Sequence, residues 1–372
     1  MHKDRSHVAI HLHCLFNGGI ERIMANLTRN FIKRGLKVDL VLNFLGNTSF
    51  LSEFSPEVRI VDLKASRIHT RIPRLARYLR QEQPAALLSA NHYANEVAIL
   101  AKHFAGVPTR LVVSDQTNLS VETHKKSPLE GRYWAPLALR LLYPWANGII
   151  APSQGVFKDL IGITGLPIER FRVIYNPVIN PEIFEKAQEP VDHPWFAPGE
   201  LPVILAAGRL EKQKDFPTLI RAFAQVKQVK PARLVIFGVG SQQSQLEALV
   251  RELGLENDVA LPGFVKNPYA YVTKSAMLAL SSAWEGLPTF LIETMALKIP
   301  VVSTNCPSGP AEILDNGKYG DLVPVNEPKA LAEAMLNILS GKSKSVDPAW
   351  LEQFTVEDTA KKYLDFLGIA VH

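Results

Sequence analysis

Two glutamates stand eight residues apart around an apolar, helix-like segment, in the stretch SSAWEGLPTFLIETMA at residues 281–296. Glu285 precedes a Gly-Leu-Pro step, and Glu293 lies inside the apolar run that follows. Proline is well suited to the first turn of a helix, so Pro288 predicts a buried helix with Glu285 in the loop before it. Glu293 then lies five residues after Pro288, which is roughly 7.5 Å along the helix axis at about 1.5 Å per residue. Two carboxylates so placed can reach opposite ends of one ligand.

Two cations stand at a second strand-to-helix connection. Arg209 and Lys214 follow the strand-like run VILAA, on a turn that begins with Gly208, and the helical pattern FPTLIRAFAQV comes directly after them. The planar fork of an arginine and the point charge of a lysine, beside a helix N-terminus, can hold a diphosphate. The alternative interpretation is that both are solvated loop charges.

A sugar nucleotide would satisfy both pairs of charged residues. Its hexose and its ribose each present hydroxyls to a carboxylate, and its diphosphate lies between the two sugars. The alternative makes Glu285 a residue favoured near a helix start and Glu293 a surface glutamate.

A nicotinamide dinucleotide site is disfavoured by a third glycine turn. Gly238-Val239-Gly240 follows the run RLVIF, but Gln243 stands where the fingerprint G-x-G-x-x-G requires its last glycine. We therefore expect a tight strand-to-helix turn there.

Short aliphatic runs alternate with helical patterns along the chain, which predicts parallel sheets covered by helices. In the first half the strand candidates are HVAIHLH, KVDLVLN, VRIVDL, ALLSA, RLVVS, GIIAPS and RVIYN. In the second half they are PVILAAG, RLVIFG, DVALPG, AMLALSS, PVVSTN and GDLVPV. The pattern predicts two similar Rossmann-like α/β domains.

A proline-rich stretch separates the two halves. The segment PEIFEKAQEPVDHPWFAPGELP brings five prolines into about twenty residues and interrupts the alternation. We predict a first domain at residues 1–185, a linker at 186–201 and a second domain at 202–354. Residues 355–372 read as one more amphipathic helix.

The composition is that of an ordinary globular protein, with 47% hydrophobic and 21% charged residues in 372. Cys14 and Cys306 are far apart, and neither a Cys/His cluster nor an Asp-x-Asp pair occurs, so we predict no metal and a reducing compartment. The first residues lack the apolar core of a signal peptide, and no run approaches the roughly 18 to 20 apolar residues of a membrane span. We expect a cytoplasmic protein.

Positive charge belongs to the first half. Residues 1–185 carry 23 Lys and Arg against 15 Asp and Glu, a net charge of +8, whereas the whole chain carries +5. No nucleic-acid-binding module accompanies this charge, so nucleic acid is not a predicted partner. An anionic acceptor or membrane surface fits better, since basic residues near anionic lipid each gain on the order of 1 kcal/mol.

Four segments together resemble the retaining glycosyltransferases of family four, which have the GT-B fold. They are NGGIERIMANL, GRLEKQKDFPTLIRAF, GFVKNPYAYV and SSAWEGLPTFLIETMALKIPVVSTNCPSGPAEIL. The resemblance covers nearly the whole chain. It implies two Rossmann-like domains that face a cleft, an N-terminal one for the acceptor and a C-terminal one for the nucleotide sugar, with the C-terminal helix crossing back onto the first.

The resemblance also implies roles for particular residues. Arg209, Lys214 and Glu285 would be catalytic, the two cations holding the donor diphosphate, and Glu293 would bind the ribose. The remaining donor contacts would come from Gly208, Phe264, Val265, Gly286, Leu287, Pro288 and Thr289. Gly18, Gly19 and Gln116 would lie on the acceptor side. The family implies retention of configuration without a metal or other cofactor.

One departure from the family pattern concerns the segment after the strand RLVVS. Many relatives have a histidine there, whereas this chain has Ser114-Asp115-Gln116-Thr117-Asn118. If Gln116 takes the place of the histidine, it can donate a hydrogen bond to the sugar but cannot carry a proton charge. His11 and His13 could compensate, or they could be ordinary strand-end histidines.

The donor that we expect is UDP-glucose, because it is a common donor in bacterial polysaccharide assembly. The basic first half leads us to expect a growing polysaccharide or a lipid-linked oligosaccharide as the acceptor. Two basic segments, RIHTRIPRLARYLRQ and HKKSPLEGRYWAPLALRLLYPW, are candidates for peripheral contact with an anionic membrane, or are solvated helix faces that cover a core. Two other functions stay open: a nucleotide-sugar epimerase or hydrolase of the same fold, and a non-catalytic sugar-nucleotide sensor.

Overall fold

The computed structural model describes residues 6–15, 18–46, 48–124 and 131–370. The chain forms two compact units. One unit runs to Val178 and is completed by the chain from Gln353 onward, and the other is Ile179–Glu352.

Strands β1 to β7 belong to the first unit and β8 to β13 to the second. In chain order the strands are β1 (His7–Leu12), β2 (Lys37–Leu42), β3 (Arg59–Asp62), β4 (Ala86–Ala90), β5 (Arg110–Ser114), β6 (Gly148–Ala151), β7 (Phe171–Val173), β8 (Val203–Ala207), β9 (Arg233–Phe237), β10 (Val259–Gly263), β11 (Met277–Leu280), β12 (Val301–Thr304) and β13 (Asp321–Val323).

The helices fill the connections between strands. In chain order they are α1 (Gly19–Lys33), α2 (Ile68–Glu82), α3 (His92–Ala105), α4 (Leu119–Thr123), α5 (Ala135–Leu142), α6 (Gln154–Thr164), α7 (Pro181–Lys186), α8 (Phe216–Val229), α9 (Gln243–Glu252), α10 (Tyr269–Val272), α11 (Thr289–Ala296), α12 (Pro310–Ile313), α13 (Pro328–Leu339), α14 (Pro348–Leu351) and α15 (Val356–Leu367). No helix in the described ranges is long and apolar enough to cross a membrane.

Both sheets are parallel, as predicted, and each strand candidate corresponds to a strand in the described residues. The strand orders are β3-β2-β1-β4-β5-β6-β7 and β10-β9-β8-β11-β12-β13. Strands covered by helices on both faces are buried on both sides, which is why their sequences read as continuous aliphatic runs. The chain direction across each sheet reverses beside β1 and β8, and ligands bind such sheets outside the carboxyl ends of the strands at that point.

The C-terminal helix α15 is part of the core of the first unit. Its Tyr363 and Leu364 are buried among side chains of α1 and of the central strands. Asn30 of α1 donates a hydrogen bond to Glu357 at 2.9 Å. The ring of Phe366 lies so close to Gly148 that a Cβ there would be 2.6 Å from it. The predicted return of the tail to the N-terminal domain is confirmed.

The structure places the domain boundaries differently from the prediction. The second unit begins at Ile179, and the segment predicted as a linker folds onto it. Ile183 of α7 packs with Tyr269, and Phe196 packs with side chains of β8 and β9. Proline at the first position of a helix favours helix formation, so Pro181 starts α7 instead of breaking the chain.

Candidate active site

The loops after β8 and β9 pack backbone against backbone at the carboxyl edge of the second sheet. The Gly208 N–H donates to the Phe237 carbonyl at 2.9 Å, and the Gly238 N–H donates to the Gly263 carbonyl at 2.8 Å. A Cβ on Gly238 would lie 1.9 Å from the carbonyl oxygen of Gly208. Only glycine permits this approach, and the tight turn predicted at Gly238 is present.

Lys214 and Glu285 form an ion pair inside this edge. The Lys214 Nζ lies 2.5 Å from Glu285 Oε1. Ser282 Oγ donates to the same oxygen at 2.6 Å, and Glu285 is only 5% exposed. Charge-assisted hydrogen bonds of this kind are short and strong. One oxygen of the buried carboxylate is therefore held by an ammonium and a hydroxyl together.

Further hydrogen bonds connect the loops that carry the pair. The Ala283 N–H donates to the Gln213 carbonyl at 2.8 Å, and Gln213 Nε2 donates to the Trp284 carbonyl at 3.1 Å. The Glu285 N–H donates to the Pro307 carbonyl at 3.1 Å. The loops after β8, β11 and β12 are thus joined around the carboxylate.

Arg209 lies on the same loop as Lys214 but outside this cluster. It is exposed, and its Nη2 donates to Gln213 Oε1 at 3.2 Å. Its guanidinium has no described contact with Glu285. The two predicted diphosphate-binding cations therefore differ, one being ordered against a carboxylate and the other presented to solvent.

Glu293 is buried on α11, with 3% of its surface exposed. The hydroxyl of Tyr269 donates to Glu293 Oε1 at 3.0 Å. Tyr269 is the first residue of α10 and is itself buried against Ile183 and Ala187. The alternative that Glu293 is a surface glutamate is wrong.

The turn before α11 is compact. The helix starts at Thr289, so Pro288 caps it instead of occupying its first turn as predicted. Gly309, which has a φ of +98°, backs this turn so closely that a Cβ there would lie 2.5 Å from Pro288 Cδ and 3.2 Å from Leu287 Cα. Gly286 is buried in the same turn. Only a residue without a side chain fits the Gly309 position.

Phe264 and Val265, predicted to line the base pocket, follow β10 directly. Phe264 is exposed to solvent. Val265 is half-buried and packs with the cluster around Phe237 and Phe196. Val265 thus packs into the protein while Phe264 points to solvent. The exposed Phe264 ring forms an apolar surface beside the loop of Gly238.

In the first unit, Gly18 and Gly19 stand at the start of α1. Gly18 caps the helix, and a Cβ on it would lie 2.8 Å from the carboxylate of Glu21. Asn17, the residue before them, lies outside the described residues. Gly19 has open space around its Cα. At the start of α1 a side chain would therefore be crowded at Gly18 by Glu21 but would have free space at Gly19.

Gln116 follows β5 and is held at both ends of its amide. Its Nε2 donates to Ser114 Oγ at 2.9 Å, and its Oε1 accepts from Asn176 Nδ2 at 2.9 Å. Its replacement of a family histidine stays a prediction.

His11 cannot supply the proton charge that Gln116 lacks. Its ring is fully buried, 3.2 Å from Asn43 Oδ1 and 3.3 Å from Ser89 Oγ. Burial lowers the pKa of His11 to about 4, and burial together with Arg71 lowers the pKa of His13. Burial thus disfavours the charged form of both histidines, and the compensation considered for them is not supported.

Comparison with known proteins covers both units. The family model described as Glycosyltransferase Family 4 matches residues 17–179, and the model described as Glycosyl transferases group 1 matches residues 188–349. Over 348 residues, 89% of this chain and 90% of the relative, the chain is 30% identical to N-acetylgalactosamine-N,N'-diacetylbacillosaminyl-diphospho-undecaprenol 4-alpha-N-acetylgalactosaminyltransferase of Campylobacter jejuni. The chain belongs to the family-four glycosyltransferases.

Solved structures show the same fold for this glycosyltransferase. The apo form of the lipopolysaccharide outer core galactosyltransferase WaaB aligns with a TM-score of 0.74 at 22% identity, over 97% of this chain and 99% of the other. Anabaena Alr3699/HepE in complex with UDP-glucose aligns with a TM-score of 0.79 at 20% identity, with the same coverage. The two Rossmann-like units and the C-terminal helix are those of the GT-B fold.

Sequence reasoning missed two polar partners in this glycosyltransferase, Ser282 and Tyr269. Ser282 lies three residues before Glu285, and its hydroxyl was not distinguishable from that of its neighbour Ser281. Tyr269 lies 24 residues before Glu293, and no spacing rule connects a tyrosine on one short helix to a glutamate on another. Among the described residues, no group of three or more His, Cys, Asp or Glu side chains could hold a metal ion.

Replacement of Gly238 by alanine is expected to destabilise the second unit. The new Cβ would force the loop after β9 away from Gly208, at a cost of more than about 2 kcal/mol. Thermal unfolding monitored by circular dichroism measures the loss. Gly162→Ala is the control, because a Cβ at this α6 position has open space, and equal shifts in the two variants would contradict the loop argument.

The buried His11 predicts a loss of stability in mild acid. In the unfolded chain His11 has a pKa near 6.5 and binds a proton below that pH. In the folded protein its pKa is about 4, so it stays neutral until the pH falls to about 4. The unfolded state therefore binds more protons in this window, and the free energy of unfolding falls as the pH decreases, by up to about 1.4 kcal/mol per pH unit. Urea unfolding of the wild type and of His11→Gln between pH 7 and pH 5 measures the slope, which is expected to be shallower in the variant. His69→Gln controls for removal of an exposed imidazole, and equal slopes in the two variants would refute the assignment.

Proposed function

We propose that this glycosyltransferase moves a hexose from a UDP-sugar to a growing polysaccharide or a lipid-linked oligosaccharide, with retention of configuration and without a metal. The observation that carries the proposal is the cluster of Lys214, Glu285 and Ser282 at the carboxyl edge of β8 and β11. It lies beside the strand where the chain direction across the sheet reverses, the position at which such sheets bind ligands.

The difficult step is the cleavage of the anomeric C–O bond, since the nucleoside diphosphate that leaves gains negative charge. Lys214 offers an ammonium that the fold has already ordered and partly shielded from water. Preorganised positive charge in such a site stabilises the leaving group without reorganisation during the reaction. Arg209, exposed on the same loop, adds a guanidinium fork suited to phosphate oxygens.

The surroundings of Glu285 support a role in binding and positioning rather than nucleophilic attack. Its Oε1 accepts from both Lys214 and Ser282, and the charge of the carboxylate is balanced by the ammonium. A contacting ammonium and a hydroxyl both stabilise the anionic carboxylate, which lowers its nucleophilicity, whereas a covalent mechanism needs an activated nucleophile. The leaving phosphate can instead accept the proton of an acceptor hydroxyl on its own face, which gives retention.

The donor and acceptor are proposed from the relatives. The Campylobacter jejuni relative is named as an N-acetylgalactosaminyltransferase whose acceptor carries diphospho-undecaprenol, and WaaB is named as a lipopolysaccharide galactosyltransferase. The structure of Anabaena HepE holds UDP-glucose. We therefore propose a UDP-hexose, with UDP-glucose tested first and UDP-galactose and UDP-N-acetylgalactosamine beside it.

Release of nucleoside diphosphate from UDP-, GDP- and ADP-sugars, with polyprenyl-diphosphate-linked sugars as acceptors and with or without EDTA, tests the proposal. We expect release from a UDP-sugar that survives EDTA and falls about a hundredfold to a thousandfold in Lys214→Ala. Lys212→Ala is the matched control, because Lys212 is an exposed lysine two residues away on the same loop. Loss of activity in EDTA would refute the metal-free mechanism, and equal rates in both lysine variants would refute the role of Lys214.

The hydrogen bond from Tyr269 predicts that this residue positions Glu293 for the donor ribose. Tyr269→Phe keeps the ring but loses the hydroxyl, so we expect the KM for the UDP-sugar to rise about five- to tenfold with kcat little changed. Discrimination between the UDP-sugar and its 2′-deoxyribose analogue is expected to fall as well, which a purely structural change would not cause. Tyr271→Phe on the same helix is the control, and the same KM in both variants would refute the role.

A further inference from the structure

Helix α5 presents a row of large apolar side chains to solvent. We call this row the α5 face. Its residues, each with the exposed fraction in parentheses, are Trp134 (54%), Leu137 (50%), Leu141 (62%) and Trp145 (48%). The spacings of three and four residues place all of them on one side of α5 and its flanking turns. Exposed apolar patches of this kind on monomeric proteins mark interaction sites.

The opposite side of α5 is anchored in the core. Leu139 and Tyr143 are fully buried, and the Tyr143 hydroxyl donates to Asp115. A helix that is apolar on all sides is normally buried on all sides. Because the inner side holds α5 in place, the helix cannot turn its outer side inward, and the α5 face is kept exposed by the fold.

The residues of the α5 face are those of a membrane interface. Tryptophan is enriched at the level of lipid headgroups, where its ring is apolar and its N–H finds a polar partner. Two tryptophans stand at the ends of the row with leucines between them, and Arg140 is exposed on the same helix. A helix of eight residues cannot span a bilayer but can lie in its surface.

The charge around the α5 face favours anionic lipid over a second copy of the chain. Beside Trp145, the Arg170 guanidinium donates to the Pro144 carbonyl at 3.1 Å. Lys102 lies close by, donating to Asn147 at 2.8 Å. Two copies would bring these cations together, whereas anionic headgroups would neutralise them.

The other basic segment, α2, lacks the exposed apolar row of the α5 face, and its arginines, like Arg170, donate to backbone carbonyls. Arg71 and Arg74 donate to backbone carbonyls of residues 63–66, and Arg80 donates to the carbonyls of residues 104 and 105. These arginines tie α2 to its neighbours. The helix, all of whose residues are described, exposes one large apolar side chain, Ile68.

We propose that the α5 face inserts into the headgroup region of an anionic bilayer, with the tryptophans at the interface and Arg140 among the phosphates. The inference rests on the proposed function in that a lipid-linked acceptor requires the enzyme to work at a membrane. It adds the surface by which the enzyme binds there.

Flotation with vesicles of phosphatidylethanolamine and phosphatidylglycerol at low salt tests the surface. The wild type is expected to float, and the double variant Leu137→Glu/Leu141→Glu to lose at least tenfold in vesicle partitioning. The control Ile68→Glu/Val229→Glu makes the same change of charge at two other exposed apolar residues and is expected to float like the wild type. Equal partitioning of the two double variants, or failure of the wild type to float, would overturn the proposal.

Two further readouts separate this outcome from misfolding, from self-association and from failure of the proposed function. Brominated lipid is expected to quench tryptophan fluorescence in the wild type but not in Trp134→Phe/Trp145→Phe; undiminished quenching of the remaining tryptophans would refute the surface. If light scattering shows a dimer that the leucine variant dissociates, the α5 face is a protein interface instead. UDP release with a water-soluble acceptor analogue is expected to be the same in the leucine variant and the wild type, so its absence in both would count against the transferase proposal and not against the surface.

Discussion

A buried carboxylate held by an ammonium and a hydroxyl is the constraint on which the second unit's site depends. Taking Glu285 and Lys214 out of water costs several kcal/mol for each ion, and only their close contact and the added hydrogen bond from Ser282 offset that cost. Three loops from different strands must therefore meet at one point for the sheet edge to be stable. The hydrogen bonds within the cluster order it without a ligand, so a ligand that bound there would use little of its binding energy to assemble it.

The architecture was predictable because its signal is carried by many residues at once. Each strand buried between two layers of helices is an uninterrupted aliphatic run, and each run ends where a glycine or polar turn leads into a helix. Lys214 and Glu285 on loops, and Glu293 on α11, are predicted from motif resemblance combined with their position after strands. The glycine turn at Gly238 was correctly separated from a dinucleotide fingerprint by one missing glycine.

The misjudged features depend on contacts between residues distant in sequence. Nothing local distinguishes Ser282 from Ser281, or marks Tyr269 as the partner of Glu293. The five prolines of residues 181–202 indicated an irregular chain, but apolar side chains between them pack onto the second unit. The basic character of the two cationic segments was visible in the sequence, whereas only the structure shows that α2 uses its arginines on backbone carbonyls while α5 leaves tryptophans and leucines outside.

The position of α15 has a consequence for how the chain is made. The core of the first unit includes Ala360, Tyr363 and Leu367, so its hydrophobic interior is incomplete while only residues up to Val178 have left the ribosome. The whole second unit is synthesised before the missing helix, and that unit has its own core and needs no residue of α15 to close it. The unit that is translated first thus completes its core last, and until then the apolar side chains that α15 covers in the finished fold lack their partners.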